Sequence, residues 1–149
     1  HVHLRILQHR VADLDPVLHE ARAVQRGHAE EGDVMGLEVL PGRVPRFPQA
    51  AMVAPDGSRL KVPHMGWNQV RQSEAHHSHP LWEGIADDTR FYFVHSYYAA
   101  LGTDTIATTN YILPYSAALR KNNFYGVQFH PEKSATVGEK ILQNFLDIV

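Results

Sequence analysis

Aromatic and β-branched residues crowd together over 91–99, FYFVHSYYA, a pattern that predicts a strand. Alternation is clearer over 124–129: Tyr125, Val127 and Phe129 share one face, while Gly126, Gln128 and the following His130 share the other. Further strands are predicted near 104–108 and 116–119, over Leu60-Lys61-Val62, and over Trp67 to Val70. Residues 71–88 are polar and turn-rich, a surface loop anchored by Leu81, Trp82 and Ile85. The period changes in SATVGEKILQNFLDIV: Val137, Ile141, Leu142, Phe145 and Ile148 build one helical face, and Thr136 with Glu139 makes a T-x-x-E capping box. Near the start, Asp15-Pro16 followed by apolar residues at helical spacing predicts a helix over about 14–26. Residues 31–48 give two short extended pieces broken by Pro41-Gly42. A β-rich middle closed by strand, loop and helix points to an α/β or α+β domain with its functional groups on loops at strand ends.

Composition narrows the function. The 149 residues suffice for one domain with a core, and 14 basic against 16 acidic residues give a net charge of −2. Without a Lys/Arg cluster, nucleic acid is not an expected partner. No apolar run approaches the roughly 18 residues of a membrane span, and no signal-peptide pattern opens the chain. The expectation is a soluble, cytoplasmic protein that does not engage a membrane. The chain has no cysteine, which excludes disulfides, thiolate-held zinc and a thiol nucleophile within these residues. It begins with His1, so a fragment or a processed product is expected.

The chemistry concentrates in His130-Pro131-Glu132. Pro131 biases His130 toward extended backbone. If extension continues one step, Glu132 projects on the same side and can hold one imidazole nitrogen, leaving the other as a base. On spacing alone a second reading stands beside this one: His130 ends a strand and Glu132 caps the next helix. His76, His77 and His79 are close enough to suggest a metal, but a loop without preset geometry reads as plain polar surface. His1, His3 and His9 read as incidental, His64 is unassigned, and His95 is expected to pack or hydrogen-bond near the site.

Several words in the sequence change these weights. VPHMGWNQV (62–70), HPLWEGI (79–85), FYFVHSYY (91–98), FYGVQFHPEKS (124–134) and EEGDVMGLEVLPGRVPRF (30–47) together resemble the glutaminase subunits of imidazole glycerol phosphate synthase, within the class I (triad) glutamine amidotransferases. The likeness covers about 30–149, leaving 1–29 unmatched. It implies a flavodoxin-like α/β amidotransferase domain, represented mainly by its β-rich C-terminal two thirds. It also implies that His130 is the general base and Glu132 its orienter in glutamine hydrolysis. Ser96 and Tyr97 match positions that hold glutamine through backbone groups. Met65, Trp67 and Lys133 match the side that faces a (β/α)₈-barrel cyclase, the heterodimer partner that consumes the ammonia in histidine biosynthesis. The resemblance calls for no cofactor and no metal.

The departure from the pattern is equally specific. Members carry a cysteine on a G-x-C-x-G turn, which counting back from Glu31 falls near 17–21, where this chain has VLHEA. No serine precedes Ser58, so no hydroxyl of that kind substitutes. The early Gly-rich oxyanion loop of the family, which aims a backbone N–H at the developing charge, also has no match. Two expectations follow: a fragment whose first part is read in a shifted frame or truncated, or a degenerate homologue that keeps the docking face without the chemistry.

Overall fold

The computed structural model describes residues 45–48, 53–76 and 78–148, together with the backbone of two strands at 5–8 and 17–19. Among these, β1 (Arg5–Gln8), β2 (Val17–His19), β3 (His64–Gln72), β4 (Thr89–His95), β5 (Thr105–Tyr111), β6 (Leu113–Lys121) and β7 (Phe124–Val127) form one sheet in the order β2-β1-β7-β6-β5-β3-β4. Every pairing is antiparallel. Hairpins set much of this order. β5 and β6 turn at Ile112 and β6 and β7 at Asn122, both in the left-handed region (φ 66° and 55°); asparagine enters that region more readily than a β-branched residue.

The sheet curls so that the residues just beyond β7 reach the edge strand β4. Just beyond β7, His130 N–H donates to the Tyr92 carbonyl on β4 at 2.8 Å. Phe129 stacks on Phe91 with ring centroids 4.2 Å apart and lies edge-on to Phe93. Phe47, Ile106, Tyr115 and Val127 complete this side of the core. Burying such a side chain contributes roughly 1.5–3 kcal/mol, so the curl is held by side chains as well as by the ladder.

The one α-helix among the described residues, α1 (Ala135–Asp147), buries Ile141 and Phe145, the latter edge-on to Tyr125. Asn144 Nδ2 donates to the Leu81 and Glu83 carbonyls at 2.9 and 2.8 Å, tying the 73–88 loop to the helix. Leu81, Trp82 and Ile85 are buried, so they anchor that loop as predicted. No helix among the described residues is long and apolar enough to cross a membrane.

Several local expectations need correction. Val17–His19 pairs with β1 as a strand, where a helix over 14–26 was predicted; its partner strand outweighs helical spacing, and the rest of that range lies outside the described residues. Leu60 to Val62 is irregular: Lys61 N–H donates to the Tyr111 hydroxyl, which donates in turn to the Lys61 carbonyl. β4 ends at His95, with single bridges at Tyr97 and Ala99 beyond it. The expected capping box does not form: the helix N-cap is Ser134, without a side-chain cap bond, and Ala135 sits at φ 51°. Of the extended pieces expected over 31–48, only 45–48 is described, bridging Arg46 to Tyr97.

A polar cluster lies inside the sheet. His64 and His95 face each other across β3 and β4, and with Tyr115 they are almost wholly buried. Burial pushes His64 down to about 3, helped by repulsion from His95. Burial likewise pushes His95 down to about 4 against the opposing pull of the Tyr97 carbonyl.

Two predictions follow from this packing. A β-carbon on Gly138 would sit 1.8 Å from the Pro131 carbonyl oxygen, so Gly138→Ala should destabilise the domain by at least about 1–3 kcal/mol, seen as a Tm lower by several degrees. Unchanged Tm would mean that α1 does not press on the turn at 131. The histidines give a pH signature. Unfolded, both take protons near 6.5; folded, they resist until about 4 and about 3. The unfolded state therefore binds more protons in that window, and stability is lost as pH falls from about 6.5 toward 4. Denaturant titrations should show a slope of roughly 1–3 kcal/mol per pH unit there, reduced in His64→Gln.

Candidate functional site

His130 leaves β7 in extended geometry (φ −101°, ψ 97°), as the following proline requires. The chain then tightens into a 3₁₀ turn, Pro131–Lys133. This corrects the expectation that extension alone would bring Glu132 alongside. The turn does it, and His130 Nδ1 lies 2.9 Å from Glu132 Oε1. A carboxylate accepts, so Nδ1 carries the proton, and in the neutral ring Nε2 holds the free lone pair. The His130 side chain is only 8% exposed against 43% for Glu132. Among the described residues, buried Nε2 has no hydrogen-bond partner. Leaving such an atom unpaired costs about 1–3 kcal/mol, a cost that functional groups carry more often than structural ones.

The turn is held from two sides. Ser134 Oγ donates to the His130 carbonyl at 2.6 Å and accepts the Tyr92 N–H at 3.0 Å. Lys133 N–H also donates to the His130 carbonyl, at 3.0 Å. Gly138 lets α1 pack directly on the Pro131 carbonyl. Sequence reasoning missed Tyr92, Ser134 and Gly138 as supports. Ser134 stood inside the HPEKS word, but its partner lies 42 positions away, and no local pattern announces such a bond.

Ser96 and Tyr97 follow β4 as an irregular, half-buried segment. Ser96 C=O accepts from Phe47 N–H and Tyr98 N–H donates to Pro45 C=O, both at 3.0 Å. His95 Nδ1 lies 2.6 Å from the Tyr97 carbonyl, and His95 is close enough to His130 for their charges to interact. His95 thus bonds the glutamine-holding candidate Tyr97 and feels the charge of His130.

Met65 and Trp67 stand on the outer face of β3, 62% and 47% exposed, opposite Val94 and Tyr92 on β4. The Trp67 ring lies edge-on to Tyr92 at 6.0 Å, the residue whose backbone meets His130 and Ser134. Lys133 is exposed on the 3₁₀ turn. In the polar loop, His76 hydrogen-bonds Ser73, and His79 accepts from Leu81 N–H and contacts the Tyr125 hydroxyl. Among the described residues no group of three or more His, Asp or Glu side chains is placed to hold a metal; His77 lies outside them.

Comparison with known proteins assigns a family. The family of class-I glutamine amidotransferases matches residues 27–149. The chain is 55% identical over 121 residues to imidazole glycerol phosphate synthase subunit HisH of Aromatoleum aromaticum, covering 80% of this chain and 56% of that protein. The subunit HisH proteins of Nitrosospira multiformis and Dechloromonas aromatica are 51% and 49% identical, with 79% and 80% of this chain covered and 55% of each relative. The chain therefore spans about half the length of the curated relatives it matches. The β-rich portion expected of an amidotransferase domain is the part described here, and the chain belongs to the class-I glutamine amidotransferase family.

Proposed function

We propose that this chain carries the histidine–glutamate part of a glutaminase site that hydrolyses glutamine and delivers ammonia to the cyclase subunit of imidazole glycerol phosphate synthase. The carrying observation is the 2.9 Å contact from His130 Nδ1 to Glu132, with buried Nε2 unpartnered. In this role Nε2 takes a proton from the nucleophile as it attacks the side-chain amide carbon. The imidazolium returns that proton to the departing nitrogen, which leaves as ammonia. Glu132 keeps the ring in the required tautomer and stabilises the imidazolium while it exists. Ser96 and Tyr97 hold the glutamine through backbone groups. Met65, Trp67 and Lys133 meet the barrel cyclase, and a closed passage keeps ammonia from being protonated in water to a non-nucleophilic ion.

A second reading has its own observation. The 149 residues contain no cysteine, and an amide needs a strong nucleophile to form an acyl intermediate. As a docking module, the chain would bind the cyclase through the outer face of β3 without hydrolysing glutamine.

Two experiments separate these readings. Glutamate formation is measured with the chain alone and with purified cyclase. A rate that rises with cyclase and vanishes in His130→Asn supports the glutaminase; cyclase binding without glutamate supports the docking module; neither signal overturns both. The second experiment grafts residues 27–149 into the Aromatoleum aromaticum relative in place of its matching stretch. Glutaminase activity should survive the graft, then fall about 10²–10⁴-fold on His130→Asn and by a smaller factor on Glu132→Gln. A graft indifferent to both substitutions removes the dyad from the mechanism.

A further inference from the structure

Outside the dyad, a line of polar side chains runs from β3 to Tyr97, and its protons can be assigned by elimination. His95 Nδ1 lies 2.6 Å from the Tyr97 carbonyl oxygen. A carbonyl only accepts, so Nδ1 carries the proton and the neutral ring leaves Nε2 bare. That nitrogen is 3.1 Å from His64 Nδ1, which must then donate. His64 Nε2 is left bare in turn and faces Asn68 Nδ2 at 3.4 Å. The Asn68 amide is oriented independently: its Oδ1 accepts Gln69 N–H at 2.8 Å and its Nδ2 donates to the Asn110 carbonyl at 2.9 Å. Tyr115 hydroxyl sits 3.2 Å from both His95 Nε2 and His64 Nδ1 and fits the same assignment. Every proton from Asn68 to Tyr97 points the same way.

The far end of the line grips one of the two peptides around Tyr97. In the peptide before Tyr97, Ser96 C=O accepts from Phe47 N–H. A trans peptide sends its N–H opposite to its C=O, so Tyr97 N–H points away from the 45–47 segment. Among the described residues that N–H has no hydrogen-bond partner. The following peptide is gripped at both groups, by His95 on the Tyr97 carbonyl and by Pro45 on Tyr98 N–H. His95 also feels the charge of His130.

We propose that His95, oriented by His64 and Asn68, is a positioning residue for glutamine: its Nδ1–H holds the Tyr97 carbonyl so that the unpaired Tyr97 N–H faces the substrate. The proposal rests on the glutaminase reading. It makes β3 the support of the substrate backbone as well as the carrier of Met65 and Trp67.

The test uses the 149-residue chain at pH 7. Long-range ¹H–¹⁵N NMR of the histidine rings should find His64 and His95 neutral, each with its proton on Nδ1. A proton on Nε2 of either ring overturns the proposal without any variant being made. Glutamine binding is then titrated by calorimetry. His95→Leu should weaken it about tenfold or more, and His95→Asn, whose amide can donate from nearly the Nδ1 position, should recover most of that loss. Equal affinity in wild type and a folded His95→Leu overturns the proposal while leaving the glutaminase reading intact. If His95→Leu fails to fold, His95→Asn with affinity as poor as the unfolded variant overturns it too. No glutamine binding by the wild-type chain, even with the predicted tautomers, overturns the glutaminase reading and the proposal with it.

Discussion

The hydrogen bond from His130 N–H to the Tyr92 carbonyl closes the curl of the sheet, and the rest of the site depends on that closure. It brings the residues just beyond β7, an inner strand, to one seam with the edge strand β4. Ser134 doubles the seam by bonding both Tyr92 N–H and the His130 carbonyl. Gly138 then lets α1 press on the turn behind it, where any side chain would collide with Pro131. Phe129 stacked on Phe91 supplies the apolar part of the same contact. A histidine held this way cannot drift from its carboxylate, and preorganisation of that kind is what a proton-transfer group requires.

Three buried imidazoles among the described residues illustrate how surroundings divide labour. His64 and His95 have hydrogen-bond partners on both ring nitrogens and no carboxylate, and burial holds them neutral over the physiological range. They act as fixed struts between backbone groups. His130 has a carboxylate on one nitrogen and, among the described residues, nothing on the other. Only that arrangement leaves a basic lone pair with a counter-charge ready for the cation it would form. In the glutaminase reading proposed above, proton transfer falls to His130, while the other two hold β3, β4 and Tyr97 in register.

Much of this was legible before any coordinates. Alternation and β-branching located the strands from 64 onward, and helical spacing located α1, because both periods reflect a single buried face. The loop anchors Leu81, Trp82 and Ile85 were visible as apolar residues in a polar stretch. Failures occurred where a local signal competed with a distant partner. Val17 to His19 kept helical spacing yet pairs with β1. The Thr136–Glu139 box satisfied a sequence rule, but the helix begins at Ala135 after Ser134, which puts Thr136 inside the first turn. Glu132 reached His130 as expected, through a 3₁₀ turn in place of an extended step.

By itself the sequence determined which groups are present and in what order. His130 and Glu132 are spaced to meet, Pro131 restrains the first of them, the family words surround them, and no thiol accompanies them. These are properties of composition and short-range geometry, which a chain carries whatever its fold. Only the tertiary structure decided that His130 Nε2 is buried, that Tyr92 and Ser134 lock the turn, and that Asn68, His64 and His95 line up toward Tyr97. Those facts join residues dozens of positions apart. Hydrogen bonds of that reach exist only after the sheet has curled, so no local pattern encodes them.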